Sequence, residues 1–160
     1  MKLKNIWGDI FKTKKEISNE SLLEKVILFN DLNVFEIQRL LPFLHVRQFQ
    51  KNEIIFQKDE PGESLYIIKS GSVAIYESLS DEKITLKPTS FFGELSLVDE
   101  NPRVVSATAT KNAELLVLFR SDLLKIKQEH PKMAVKIIYN LSYILGKRLS
   151  TIYSDHNTKK

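Results

Sequence analysis

Between His45 and Phe119 the sequence falls into eight short segments rich in β-branched and aromatic residues: HVRQFQ, EIIFQ, SLYIIKS, SVAIYES, KITLK, SFFGEL, VVSATA and AELLVLF. Such runs read as strands. Turn-forming residues separate them, at Asn52, Asp59–Gly62, Gly71, Ser80–Asp81 and Lys87–Pro88. Strands of this number and length imply a mainly β domain of the sandwich or jelly-roll kind.

The flanks have helical spacing. Ser21 and Glu24 form a Ser-x-x-Glu capping signature. Leu22, Leu23, Val26, Ile27 and Phe29 follow at helical intervals, Asn30–Asn33 interrupt them, and Val34, Ile37, Leu40 and Leu41 resume until Pro42. At the other end, Ser121 is placed to cap a helix through Gln128, and Pro131 restarts one that runs to Tyr153. Along it Ala134, Ile138, Leu141, Leu145 and Ile152 recur near every 3.5 residues, which suits a homodimer seam or, equally, a face laid on the strands. The expected organisation is an N-terminal extension at 1–17, one domain at 18–153 and a polar tail at 154–160. Within the domain, 18–44 is helical, 45–120 is β and 121–153 is a two-part C-terminal helix. The extension mixes Ile6, Trp7, Ile10 and Phe11 with lysines. It reads as an amphipathic helix on a membrane surface or partner, or as a segment packed on its own domain, and Gly8 weakens the helix.

Chemistry concentrates in Phe91–Ala109, FFGELSLVDENPRVVSATA. Phe91 and Phe92 close a strand, and Gly93 permits a turn that a side chain would obstruct. Glu94–Val98 then forms a helical turn whose N–H groups suit an anion. Arg103, nine residues after Glu94, offers two parallel N–H donors to a phosphate. A carboxylate beside an anion site needs a reason, since like charges repel. Glu94 has one if it accepts a hydrogen bond from a sugar hydroxyl of the same ligand.

FGELSLVDENPR resembles the phosphate-binding cassette of the cyclic-nucleotide-binding domain family, that of protein kinase A regulatory subunits and catabolite activator proteins. Phe92, Gly93, Glu94, Leu95, Leu97, Pro102 and Arg103 match its pattern, with Ser96 at the small position. Gly62–Tyr76 and Ala113–Leu118 resemble the flanking strands, so the likeness covers Ser21 to Ile152. Val104 and Val105 depart from it, because small or hydroxyl residues usually follow the arginine. Asp59 stands where a glycine is usual, and aspartate tolerates the left-handed backbone that the turn needs.

The resemblance implies an eight-stranded jelly-roll β-barrel, or double-stranded β-helix, flanked by N-terminal and C-terminal helices. It implies a cyclic nucleotide ligand, cyclic AMP or cyclic GMP, with cyclic AMP expected first. Adenine itself is not carried over, because Arg148 and Leu149 stand where bacterial activators have base-contacting hydroxyls. The site residues it implies are Phe92, Gly93, Glu94, Leu95, Ser96, Pro102, Arg103, Val104 and Val105. Leu95 and Ser96 N–H groups and Arg103 would hold the phosphate, Glu94 the ribose, and the last helix would move as a lid and signal to a protein effector. The alternative is a degenerate domain of the same fold that binds no nucleotide and serves for protein contacts or dimerisation.

Composition removes other classes. With 160 residues, 42% hydrophobic and 28% charged, the chain is long enough for one cored domain. It has no cysteine, hence no disulfide or thiolate metal site. It has no apolar run long enough to span a bilayer and no signal-peptide core, so a cytoplasmic protein is expected. A net charge of +4, much of it near the two ends, is mild, and the chain stops at Lys160, shortly after the last helix. A helix-turn-helix domain and direct DNA binding are therefore not expected. His45, His130 and His156 are scattered, and Ser96 is not in a nucleophile elbow. No metal site and no enzyme are expected.

Overall fold

The computed structural model describes residues 17–79 and 82–158, the last few by their backbone. The N-terminal extension and its amphipathic reading lie outside the described residues. So do the Ser80–Asp81 turn and the final two residues of the tail.

Among the described residues eight strands form: β1 Leu44–Phe49, β2 Ile54–Phe56, β3 Ser64–Ser70, β4 Val73–Tyr76, β5 Ile84–Leu86, β6 Phe91–Phe92, β7 Ser106–Ala109 and β8 Ala113–Phe119. They make two antiparallel four-stranded sheets, ordered β1-β8-β3-β6 and β2-β7-β4-β5. This order is compatible with a jelly roll, and the described strands form two sheets, not a closed barrel. The helices are α1 Asn19–Leu23, α2 Val34–Leu40, α3 Arg120–Glu129 and α4 Pro131–Thr158.

The unalternated run Leu115-Leu116-Val117-Leu118 follows from where its sheet lies. Leu116 and Leu118 of β8 pack with Leu65 and Ile67 of β3 against Leu22, Phe29, Ile37 and the buried residues of α4. Leu115 and Ile68 face the other way, onto Phe56, Val73, Phe92, Ala107 and Ala109 of the inter-sheet core. A strand covered on both faces has no polar side to show. β7 contributes the small side chains Ala107 and Ala109 to that core.

Helix starts differ from the sequence expectation. Ser18, not Ser21, caps α1, and it accepts from the Ser21 N–H. The capping box belongs to α2, where Asn33 and Glu36 bond each other's backbone N–H. Asparagine is as good a cap as serine, so the residues read as a helix break are the next helix's start. α3 begins at Arg120 with no side-chain cap, and Ser121 lies inside its first turn. α4 continues to Thr158, beyond the expected start of a tail at residue 154.

Several turns use left-handed backbone, with Asn52 and Thr89 at φ 69° and 74°; the threonine, being β-branched, is the residue least suited to it. Asp59 takes φ 70°, in the left-handed region, and Gly71 and Gly93 take 82° and 74°. A further departure concerns Val104 and Val105, which precede β7 and do not belong to it. The reason is local. The Arg103 N–H donates to the Glu60 carbonyl, and the Asp59 N–H donates to the Arg103 carbonyl, both at 2.8 Å. This segment is thus bonded to the loop after β2 before it joins the sheet.

Candidate functional site

β6 ends at Phe92, and Gly93 turns the chain into a 3-10 turn, Glu94–Leu97. Gly93 has to be glycine for a second reason. A Cβ there would lie 2.7 Å from Arg103 Nη1 and 3.0 Å from the Ser64 carbonyl oxygen. Gly62 is constrained in the same way, because a Cβ would meet Ser96 Oγ at 2.2 Å. Two glycines therefore keep the space that the arginine and the serine fill.

Arg103 is only 6% exposed. Its Nη1 donates to the Ser64 carbonyl at 2.9 Å, to Ser96 Oγ at 2.9 Å and to the Gly93 carbonyl at 3.2 Å. Its Nη2 donates to Ser64 Oγ at 3.2 Å. The guanidinium lies over the Phe56 ring at 4.2 Å and near the Tyr66 ring at 5.7 Å. Phe92 stacks on Tyr66 at 5.2 Å and tilts against Phe56, completing an aromatic floor. Among the described residues no carboxylate pairs with Arg103, and its Nε is buried without a partner. Burial pulls the pKa of the guanidinium below its usual value, and Tyr66, Glu60 and Glu63 offset part of that. An arginine stays charged regardless. The site therefore holds a buried cation with no carboxylate in contact with it among the described residues.

Glu94 is 7% exposed, and its partner is not Arg103. Arg148 of α4 donates from Nη1 to Glu94 Oε1, and its guanidinium lies 5.4 Å from the Phe91 ring centre. An ion pair between Glu94 and Arg103, the simplest account of their spacing, does not form. Arg148 lies 54 residues after Glu94, and the spacing that placed it beside the site did not show that it pairs with Glu94. The signal that was available is its position on the inward face of α4, one turn after buried Ile144.

These groups line one cavity of about 540 Å³. All nine residues singled out in the sequence border it: Phe92, Gly93, Glu94, Leu95, Ser96, Pro102, Arg103, Val104 and Val105. Ile75, Ile84 and Leu86 of β4 and β5 form an apolar wall, and Arg148 reaches in from α4. Val104 is 57% exposed and Val105 half-buried, so both stand at the rim. The lining combines a buried cation, a buried carboxylate and an apolar wall, which suits a ligand with both an anionic and an apolar part.

The sequence pattern of the cyclic nucleotide-binding domain matches residues 46–130. The chain is 35% identical over 126 residues to a cyclic AMP receptor protein of Thermus thermophilus, a match covering 76% of this chain and 56% of that protein. It is 29% identical over 99 residues to a cAMP-dependent protein kinase regulatory subunit of Hypocrea atroviridis, covering 62% of this chain and 21% of that one. The crystal structure of the Thermus thermophilus catabolite activator protein superimposes with a TM-score of 0.73 at 31% identity, covering 82% of this chain and 62% of that chain. A cyclic nucleotide-binding domain from Methylobacillus flagellatus shares the fold, with a TM-score of 0.74 at 21% identity, covering 88% of this chain and 85% of its own. The chain belongs to the cyclic-nucleotide-binding domain family. It spans 56% of the bacterial receptor protein and 21% of the kinase subunit. Among the described residues no helix is long and apolar enough to cross a membrane.

Proposed function

We propose that this domain binds a cyclic nucleotide in the cavity and reports its presence through α4. One observation carries the reading: Arg103 is a buried guanidinium that borders the cavity and has no carboxylate partner among the described residues. An anion bound there supplies the missing charge. The cyclic phosphate sits on Arg103, Ser96 and the Leu95 and Ser96 N–H groups, and Glu94 accepts the ribose 2′-hydroxyl. The base lies against Ile75, Ile84 and Leu86, under α4. Cyclic AMP is the first ligand to test, as the named receptor protein and kinase subunit support. A module for protein contacts alone would leave Arg103 buried with only neutral partners in contact with it.

The sugar contact has a direct test. A 2′-deoxy cyclic nucleotide is expected to bind roughly ten- to a hundredfold more weakly than its ribose parent, because a hydrogen bond to a charged group contributes about 1.5–3 kcal/mol. Calorimetric titration of both ligands measures the ratio. Equal affinities would remove Glu94 from the ribose.

The self-association reading keeps its helix and changes its face. Leu141 is buried against the domain core, Leu145 packs beside it, Ile138 is half-buried, and the side chain of Ile152 lies outside the described residues. The exposed stripe is instead Val135, Tyr139, Leu149 and Tyr153, with Ser142 and Gly146 between them. Steps of four and three residues hold it on one uncharged face, suited to a second copy of α4. Light scattering is expected to show a dimer for the parent and a monomer for the double variant Tyr139→Glu, Leu149→Glu. A monomeric parent at high concentration would end this proposal.

A further inference from the structure

One apolar surface away from the cavity is left uncovered by the described residues. α2 opens with Val34 and Phe35, which are 60% and 73% exposed. The Asn33–Glu36 capping box fixes that first turn. Ile27, which opens the 3-10 turn Ile27–Phe29, is exposed as well. Both elements lie along one flank of α4. Lys136 donates to the two carboxylate oxygens of Glu36, at 2.9 and 2.7 Å, and one turn further on Asn140 donates to the Leu28 carbonyl at 3.2 Å. A cleft of about 490 Å³ opens between α2 and the start of α4, bordered by Phe35, Glu129, Pro131 and Met133 among others. Exposed apolar groups gathered beside a cleft mark a docking surface.

We propose that residues 1–16 of the same chain occupy this surface, with Trp7 in the cleft. The proposal is independent of the cyclic-nucleotide reading. Three observations choose this occupant. Leu3, Ile6, Trp7, Ile10 and Phe11 follow the i, i+3, i+4, i+7, i+8 order of a single apolar face, and the nucleotide site uses none of them. Six residues lead from Phe11 to Ile17, a tether of at most about 20 Å. Ile17 precedes Ser18, the cap of α1, and α1 packs on α2, so the tether keeps the segment beside this flank. Charge agrees with the placement. Residues 1–16 carry five lysines against Asp9 and Glu16, whereas residues 19–40 carry Glu20, Glu24, Asp31 and Glu36 against Lys25 and Arg39. The cleft offers an indole apolar walls in Phe35, Pro131 and Met133, and Glu129 as an acceptor for its N–H.

Trp7 is the one tryptophan of the chain, so its fluorescence reads the contact in the intact protein. The parent's emission is expected to lie to the blue of an indole in water, to resist quenching by acrylamide, and to stay so through a dilution series. Two double variants should release the indole, moving the emission to the red and restoring quenching. One is Val34→Ser, Phe35→Ser on the surface, and the other is Ile6→Ser, Ile10→Ser in the segment. Val34 and Phe35 are exposed, so the first should melt close to the parent. The second leaves the packed core untouched. Parent emission like that of an indole in water overturns the proposal, and a blue shift that then appears only with vesicles of anionic phospholipid assigns the segment to a membrane surface instead. Blue emission that survives either double variant places Trp7 elsewhere, and blue emission lost on dilution places it on another molecule. Either result also overturns the proposal.

Discussion

Arg103→Lys is expected to lower cyclic-nucleotide affinity on the order of a hundredfold while the unliganded domain stays folded. Lysine keeps the charge and loses the planar fork. It cannot donate along the Nε direction, where Arg103 has its unpartnered N–H. Each hydrogen bond to a charged group contributes about 1.5–3 kcal/mol, and each 1.4 kcal/mol is tenfold in affinity. Arg103→Leu should be more severe for the ligand, because it removes the cation. Its effect on the empty fold is bounded by two opposing terms. It leaves Ser64 and Ser96 without a donor, and it relieves a desolvated charge. It does not orphan Glu94, whose partner is Arg148. Thermal unfolding reads both quantities at once. A ligand at a hundred times its Kd stabilises the state it binds by about 2.7 kcal/mol. The parent should show that upward shift with saturating ligand, and both variants should lose most of it. A variant that keeps the parent's shift would take Arg103 out of the site.

Gly93→Ala should damage stability and affinity together. The left-handed backbone at φ 74° costs a residue with a Cβ about 1–2 kcal/mol. The new methyl would also lie 3.0 Å from the Ser64 carbonyl oxygen and 2.7 Å from Arg103 Nη1. The backbone cannot give way cheaply, so the guanidinium has to. A combined loss of about 2–3 kcal/mol lowers the melting temperature by roughly 5–10 °C in a domain of this size. Displacing Arg103 should weaken ligand binding about tenfold or more, since 1.4 kcal/mol is a factor of ten. Unchanged melting and binding would mean that Gly93 has neither of the two constraints described.

Both variants act through residues that the sequence already singled out, and much of the fold was legible in the same way. All eight strands lie where β-branched runs alternate with Asn, Asp, Gly and Pro, because strands and turns write their periods locally. The cassette was legible because its parts are close in sequence and each has a distinct chemical reason. Gly62 and Arg148 were harder to see. Gly62 matters through Ser96, and Arg148 through Glu94, 54 residues earlier in the chain. Contacts of that kind leave no local pattern. Periodicity placed α4 and its apolar stripe, and left open whether the strands or a second copy covers it. Ala134, Leu141 and Leu145 of that stripe pack with the domain's own core. A stripe at 3.5-residue spacing marks an apolar face without saying what covers it. The two valines read as strand by propensity, but hydrogen bonds of the adjoining Arg103 to the Asp59–Glu60 loop decided otherwise.

The central claim, that Arg103 awaits an anion, is tested most directly at its own Nε. In nitrogen-15 spectra of arginine side chains, the Nε–H resonance absent from Arg103→Lys belongs to Arg103. Adding cyclic AMP or cyclic GMP is predicted to move that resonance and to saturate at one ligand per chain, because a phosphate placed against the guanidinium changes the field and the hydrogen bonding around it. A resonance that stays in place at millimolar concentrations of both nucleotides would contradict the account.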